Sequence, residues 1–200
     1  MFVLGIDPGV SRCGYGCVAR MGGANRALAA GVLTTSPSEP LPQRLAALDT
    51  ELRALLANLA PAAGADHDGP PVVAVERLFF QVNARTAMAV GQASGLVLAS
   101  AVQAGWEVVQ YTPNEVKQAV AGYGSAPKEQ VTRMVTALLG LAEPPRPADA
   151  ADALALALCH LAVAPLAARV AAGPAGPAGP AGTPSALGAG GRRQPLGAGR

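Results

Sequence analysis

The sequence has little of what usually marks a binding face. Of its 200 residues, three are phenylalanine, three tyrosine and one tryptophan. Aromatics this scarce exclude an aromatic-rich recognition surface, so each one present needs a reason. Cysteine is limited to Cys13, Cys17 and Cys159. An odd number with no second cysteine pair excludes both a disulfide framework and a cysteine-based zinc site. Cys13 and Cys17 stand two strand steps apart, which predicts buried thiols in a reducing cytoplasm. The start, MFVLGIDPG, has no basic stretch and meets an acid at position 7, so a secretory signal is not expected. An excess of positive charge is also missing. The formal net charge is +2, and residues 1–170 hold 12 basic and 13 acidic side chains. A bulk field cannot draw this chain to nucleic acid, and any such contact must come from local patches. Residues 86–106 carry no charge at all, but Gln92, Ser94, Ser100 and Gln103 interrupt them. That composition predicts a buried helix of a soluble domain rather than a membrane span.

What is present reads as a mixed α/β domain. Short apolar runs predict strands over 2–6, 14–19, 27–34, 72–75 and 107–110, the first three close enough for an antiparallel meander. Leu41, Leu45, Leu48, Leu52, Leu55, Leu56 and Leu59 recur at three and four and predict an amphipathic helix over 41–59, with a polar loop from Pro61 to Pro71. Further helices are expected within 82–104 and over 113–121, 127–139 and 148–163. The order predicts one domain over residues 1–170 with a five-stranded mixed sheet flanked by helices. The Gly/Pro/Ala-rich residues 171–200 predict a disordered tail.

Four acids carry the chemical signal. Asp7 ends the first strand and opens an Asp-Pro-Gly turn, where an aspartate is also ordinary turn chemistry. Glu76 follows the run VVAV, at a strand end where α/β domains place their sites, and it also reads as a solvated loop acid. Asp149 and Asp152 lie three apart in PADAADALALALCH, on one face of an otherwise apolar helix. Capping of a helix N-terminus accounts for one of them more easily than for two. Like charges at that spacing repel unless a cation neutralises them. Carboxylates are the hard oxygen ligands that Mg²⁺ or Mn²⁺ requires, and two such ions about 4 Å apart serve phosphodiester cleavage. His67 falls in the polar loop. His160, two turns beyond Asp152, reads as core or as a support of the acids.

The segments LGIDPGVSRCGYG, VERLFFQVNARTAMAVGQASG, VKQAVAGYGSAPKEQV and PADAADALALALCH, in that order and spacing, resemble the RuvC Holliday junction resolvases over about residues 1–163. The resemblance implies an RNase H-like fold and a homodimer that nicks four-way junction DNA at two symmetric points during recombination and repair, leaving ligatable products. It further implies Mg²⁺, two ions per subunit with Mn²⁺ as a substitute, held by Asp7, Glu76, Asp149 and Asp152, and RuvA and RuvB as partner proteins.

The chain has two lysines, Lys117 and Lys128, and both fall in segments resembling the family's DNA-contacting region. A lysine is a compact charge suited to phosphate. Arg77, Arg85 and Arg133 are further candidate phosphate contacts. Phe79 and Phe80 follow Glu76 closely, and one of them can be core. The resemblance assigns Phe79 a role in stacking on a base near the exchange point. Ala87, Gly91, Gly95 and Ala99 form a row of small residues that suits either the protein's own sheet or a second helix. Two other classes fit parts of the pattern. An actin-like ATPase or sugar kinase shares the first loop but needs a second Asp-x-Gly, which is missing. A junction-binding protein without activity has no need of all four acids.

Overall fold

A computed structural model describes residues 1–64, 69–77 and 84–171. The chain order is β1 (Phe2–Asp7), β2 (Arg12–Met21), β3 (Ala24–Thr34), α1 (Leu41–Gly64), β4 (Val72–Glu76), α2 (Ala84–Gln103), β5 (Glu107–Tyr111), α3 (Pro113–Ala121), α4 (Lys128–Leu138) and α5 (Ala148–Ala171). The five strands form one sheet in the order β3-β2-β1-β4-β5. The meander β1-β2-β3 is antiparallel, while β4 and β5 run parallel to β1. This is the expected mixed sheet.

Alternation along the strands divides the core in two. Leu4 and Ile6 of β1, Cys13 and Cys17 of β2, and Val73 and Val75 of β4 pack with Leu48, Leu52 and Leu56 of α1 and Val97 of α2. Val3, Val18 and Ala74 face the other way, against α3, α4 and the apolar length of α5. Cys17 and Val18 serve opposite layers by this same alternation, and a shift of register against β3 falls between them, Cys17 pairing with Ala29 and Val18 with Ala27. The three cysteines are buried and unpaired, as expected, and burial pushes their thiols up to about 12.

Strands β2 and β3 run longer than expected, over Arg12–Met21 and Ala24–Thr34, and two helices also pass their expected ends. Helix α1 continues through Pro61 to Gly64, so the first residues assigned to a polar loop are helical. Proline removes one intrahelical hydrogen bond, and that loss falls in the exposed last turns of this helix. The rest of that loop, His67 included, lies partly outside the described residues. Helix α5 runs on to Ala171, with Pro165 inside its exposed C-terminal half. Its segment Ala148–Pro165 is long and apolar enough to cross a membrane, but 61% of it is buried inside the protein. It is the core helix, lying across β1, β2, β3 and β4. The predicted disordered tail, apart from Ala171, lies outside the described residues.

Candidate active site

The alternation that divides the core also aims two of the acids. On β1, Asp7 shares a face with Val3 and Gly5. On β4, Glu76 shares a face with Ala74. Both therefore point toward α5. β1 and β4 are parallel, with Ile6 opposite Val75, so Asp7 and Glu76 stand side by side at the same edge of the sheet. Helix α5 brings the other pair. It can lie close because β1 and β2 present glycine beneath it: a Cβ on Gly5 would overlap the Ala153 carbonyl oxygen, and one on Gly14 would overlap the carbonyl oxygen of Asp149. Asp7 pairs with Gly14 across the β1–β2 ladder, which sets the start of α5 directly over the first acid.

The charges register this crowding. The Asp7 carboxyl is raised to about 7, first by burial and then by the negative charges of Glu76, Asp152 and Asp149, with Lys128 opposing them. Glu76 is also raised, by burial and by Asp152, and the nearby Lys128 and Lys117 moderate the effect. Neither strand acid has a hydrogen-bond or ion-pair partner among the described residues. The two helical acids do. Lys128, the first residue of α4, donates to Oδ2 of Asp152 at 2.6 Å. Arg12 donates to Oδ2 of Asp149 through Nε at 3.0 Å and Nη2 at 2.7 Å, which holds that carboxyl below its usual range. With two of the four carboxylates turned onto cations, no three acids, histidines or cysteines among the described residues meet at metal-ligating spacing. The donor set nonetheless fits a hard divalent cation: it is carboxylate oxygen throughout, and its deepest member carries repulsion that no nearby cation cancels.

A cleft of about 270 Å³ opens beside the acids, lined by Glu76, Asp152, Lys117, Lys128, Val116 and Val131 among others. Helix α3 presents Lys117 to it. Thr112 caps that helix, accepting from the Glu115 N–H at 3.2 Å while the Glu115 carboxylate accepts from the Thr112 N–H at 2.7 Å. Both lysines thus line the cleft beside the acids, and Lys128 also pairs with one of them. Arg77 is exposed just past β4, with its N–H bonded to the Tyr111 carbonyl at 2.7 Å. Arg133 is exposed on α4 and makes no ion pair among the described residues. Arg85 lies in the first turn of α2, and Phe79 and Phe80 lie outside the described residues.

Three supports of the site have partners that the sequence did not show. Arg12 is the first. The second is a strap on the turn that follows Asp7. Arg44 of α1 donates to the Ser11 hydroxyl and, at 3.0 Å, to the Thr35 hydroxyl, and Thr35 donates to the Val10 carbonyl at 2.6 Å. The third is a bond of 2.9 Å between the Tyr111 hydroxyl and Nδ1 of His160. It ties the end of β5, opposite Glu76 in the ladder, to the buried middle of α5. His160 is therefore a hydrogen-bonded core residue.

Known proteins resemble this chain over most of its length. The family model described as crossover junction endodeoxyribonuclease RuvC matches residues 3–160. The crossover junction endodeoxyribonuclease RuvC of Moorella thermoacetica is 51% identical over 165 residues, covering 82% of this chain and 93% of that protein. That of Salinispora arenicola is 54% identical over 162 residues, covering 80% and 87%. The structure of Thermus thermophilus RuvC in complex with Holliday junction substrate superposes with a TM-score of 0.73 at 42% identity, covering 84% of this chain and 96% of that one.

Proposed function

This chain belongs to the RuvC family of crossover junction endodeoxyribonucleases, and from that membership we propose that Asp7, Glu76, Asp149 and Asp152 are the metal-binding catalytic acids of a Holliday junction resolvase. The observation that carries the assignment is their convergence. Two strand ends and the start of one core helix bring four carboxylates together beside a cleft that also holds both lysines of the chain.

The residues divide the work by position. Asp7 and Glu76 are positioned by the sheet, and the backbones of Asp149 and Asp152 by the close seat of α5, so a divalent cation needs only the two helical carboxylates to turn from Arg12 and Lys128. Mg²⁺ fits the oxygen donors, two ions per subunit being the count four carboxylates suit, with Mn²⁺ as a substitute. When bound, such ions supply activation of water and stabilisation of negative charge at the scissile phosphate. Lys117 and Lys128 line the cleft as point charges for the DNA backbone. Arg77, Arg85 and Arg133 are secondary phosphate contacts, and Phe79 is the candidate for stacking on a base at the exchange point, a contact worth roughly 1–3 kcal/mol.

Paired nicks on a four-way junction call for a two-fold homodimer. The row Ala87, Gly91, Gly95 and Ala99 supports one. Among the described residues, side chains added at Gly91 and Gly95 would meet nothing, so the row faces away from the protein's own sheet while Ala93, Val97 and Ala101 face the core. RuvA and RuvB are the proposed partners on the junction. The cytoplasm suits three buried, reduced thiols, and residues 1–170 suffice as the nuclease domain.

The test is cleavage of a synthetic mobile four-way junction in Mg²⁺, with linear duplex as control. Asp7→Asn is expected to abolish nicking while junction binding is largely kept. Nicking near the wild-type rate would refute the assignment, and loss of binding together with cutting would point to a structural role.

A further inference from the structure

The two helical acids differ from the two strand acids in one respect: each carries a cation. Lys128 lines the cleft beside the acids. Arg12 does not. It opens β2, its side chain is 49% exposed against 27% for its partner, and Asp149 is the sole hydrogen-bond partner of that side chain among the described residues. Both of its bonds fall on one oxygen, Oδ2.

We propose that Arg12 is a resident counter-ion of the metal site, competing with a divalent cation for Asp149 and so setting how tightly the site takes up metal. This rests on the reading of Asp149 as a metal ligand. The argument turns on which partner can move. Asp149 is held from beneath, because its backbone carbonyl and Cβ lie against Gly14 with no slack. Arg12 is a long side chain at a strand end, with solvent around half of it. A dication placed against Asp149 meets a guanidinium already on the carboxylate. The two positive charges repel, and only the guanidinium has somewhere to go. The site therefore exchanges one cation for another, and the lost ion pair is subtracted from the metal's affinity. Junction DNA can reverse this cost. A backbone phosphate brought to the site offers Arg12 a second bidentate acceptor with the same single negative charge as the carboxylate, and transfer of the guanidinium to it frees Asp149. Through this side chain, metal loading and junction binding assist each other.

The size of the effect follows from exposure. An ion pair this open contributes little, and its loss should change metal affinity by about two- to fivefold. The test is Mn²⁺ binding to the full chain without DNA, read by electron paramagnetic resonance of the free ion. Arg12→Ala is expected to bind Mn²⁺ about two- to fivefold more tightly than wild type. Arg12→Lys, which keeps the charge, should stay close to wild type. As a second readout, the rise in melting temperature on saturation with Mg²⁺ should be larger for Arg12→Ala than for wild type. Equal or weaker binding by Arg12→Ala, in a variant whose far-UV spectrum is native, overturns the counter-ion role and leaves the carboxylate site standing. Failure of the wild-type protein to bind Mn²⁺ at all removes the carboxylate site and this proposal with it.

Discussion

Gly14 of β2 lies directly beneath Asp149 of α5: a methyl group on Gly14 would overlap the Asp149 carbonyl oxygen and come within 3.0 Å of its Cβ. The distance between the core helix and the sheet is thus set at the point where that helix delivers its first acid. On the neighbouring strand, Gly5 gives the same close seat beneath Ala153. The acids are placed by backbone contact rather than by side-chain packing, which leaves little room for adjustment.

Gly14→Ala should therefore harm cleavage more than its single added methyl suggests. Overpacking of this kind costs about 1–3 kcal/mol, readable as a lower midpoint in urea. The helix can relieve the overlap only by lifting from the sheet at Asp149. Junction cleavage measured well below the unfolding transition should fall by at least tenfold, on the order of a 1.4 kcal/mol barrier change. Cleavage that follows the folded fraction alone would show that the seat of α5 does not tune the site.

The outward row on α2 gives a second prediction. Gly95 is exposed and, among the described residues, nothing stands within reach of a Cβ there, so Gly95→Leu should fold with undiminished stability as a monomer. If the row is the two-fold interface, the bulk of leucine holds the partner helix away. The sedimentation mass at micromolar concentration should drop from dimer to monomer, and paired nicking should give way to unpaired cuts. An unchanged dimer mass would place the interface elsewhere.

The sequence made some of this legible and hid the rest for reasons of range. The leucine spacing of α1, the run VVAV before Glu76 and the three-residue step from Asp149 to Asp152 are local patterns, and each described element they implied is present. Alternation then explains why Asp7 and Glu76 face α5, once the sheet order is known. Arg12 could not be read as a partner of Asp149, because 137 residues separate them. The same holds for Tyr111 and His160, 49 residues apart, and for Arg44 and Ser11, 33 apart. Pro61 was misleading in the other direction: a residue that ordinarily ends a helix was tolerated near the exposed end of α1.

The Tyr111–His160 bond predicts a stability effect without a charge change. Tyr111→Phe keeps the ring against the core but removes the hydroxyl, leaving Nδ1 of buried His160 without its partner. An unsatisfied buried polar group costs about 1–3 kcal/mol. Urea unfolding should show a loss of that size, with metal affinity kept because the four acids are untouched. A loss below a few tenths of a kcal/mol would mean that the imidazole finds another partner in the variant.

The raised carboxyl of Asp7 makes a prediction in pH. Its pKa is about 7 in the folded protein against an ordinary value of 3.8, with burial the largest cause and the charges of Glu76, Asp152 and Asp149 next. Between those values the native state holds a proton that the unfolded chain has released, so stability falls as pH rises from about 4 to about 7. Below that window both states are protonated. Above it both are ionised, and the folded protein carries the full penalty of the buried charge. Asp7→Asn removes this contribution. In chelator, the variant should match wild type near pH 4 and be the more stable of the two near pH 8, because the amide carries no charge to bury or repel. Glu76, also raised, leaves a shallower slope of the same sign in the variant. Saturating Mg²⁺ should narrow the gap at pH 8, since a cation on the carboxylates supplies to wild type the neutralisation that the variant has by substitution. Urea unfolding across this range, with and without Mg²⁺, measures all three effects. A variant with the wild-type slope would show that Asp7 does not carry the buried charge of the site.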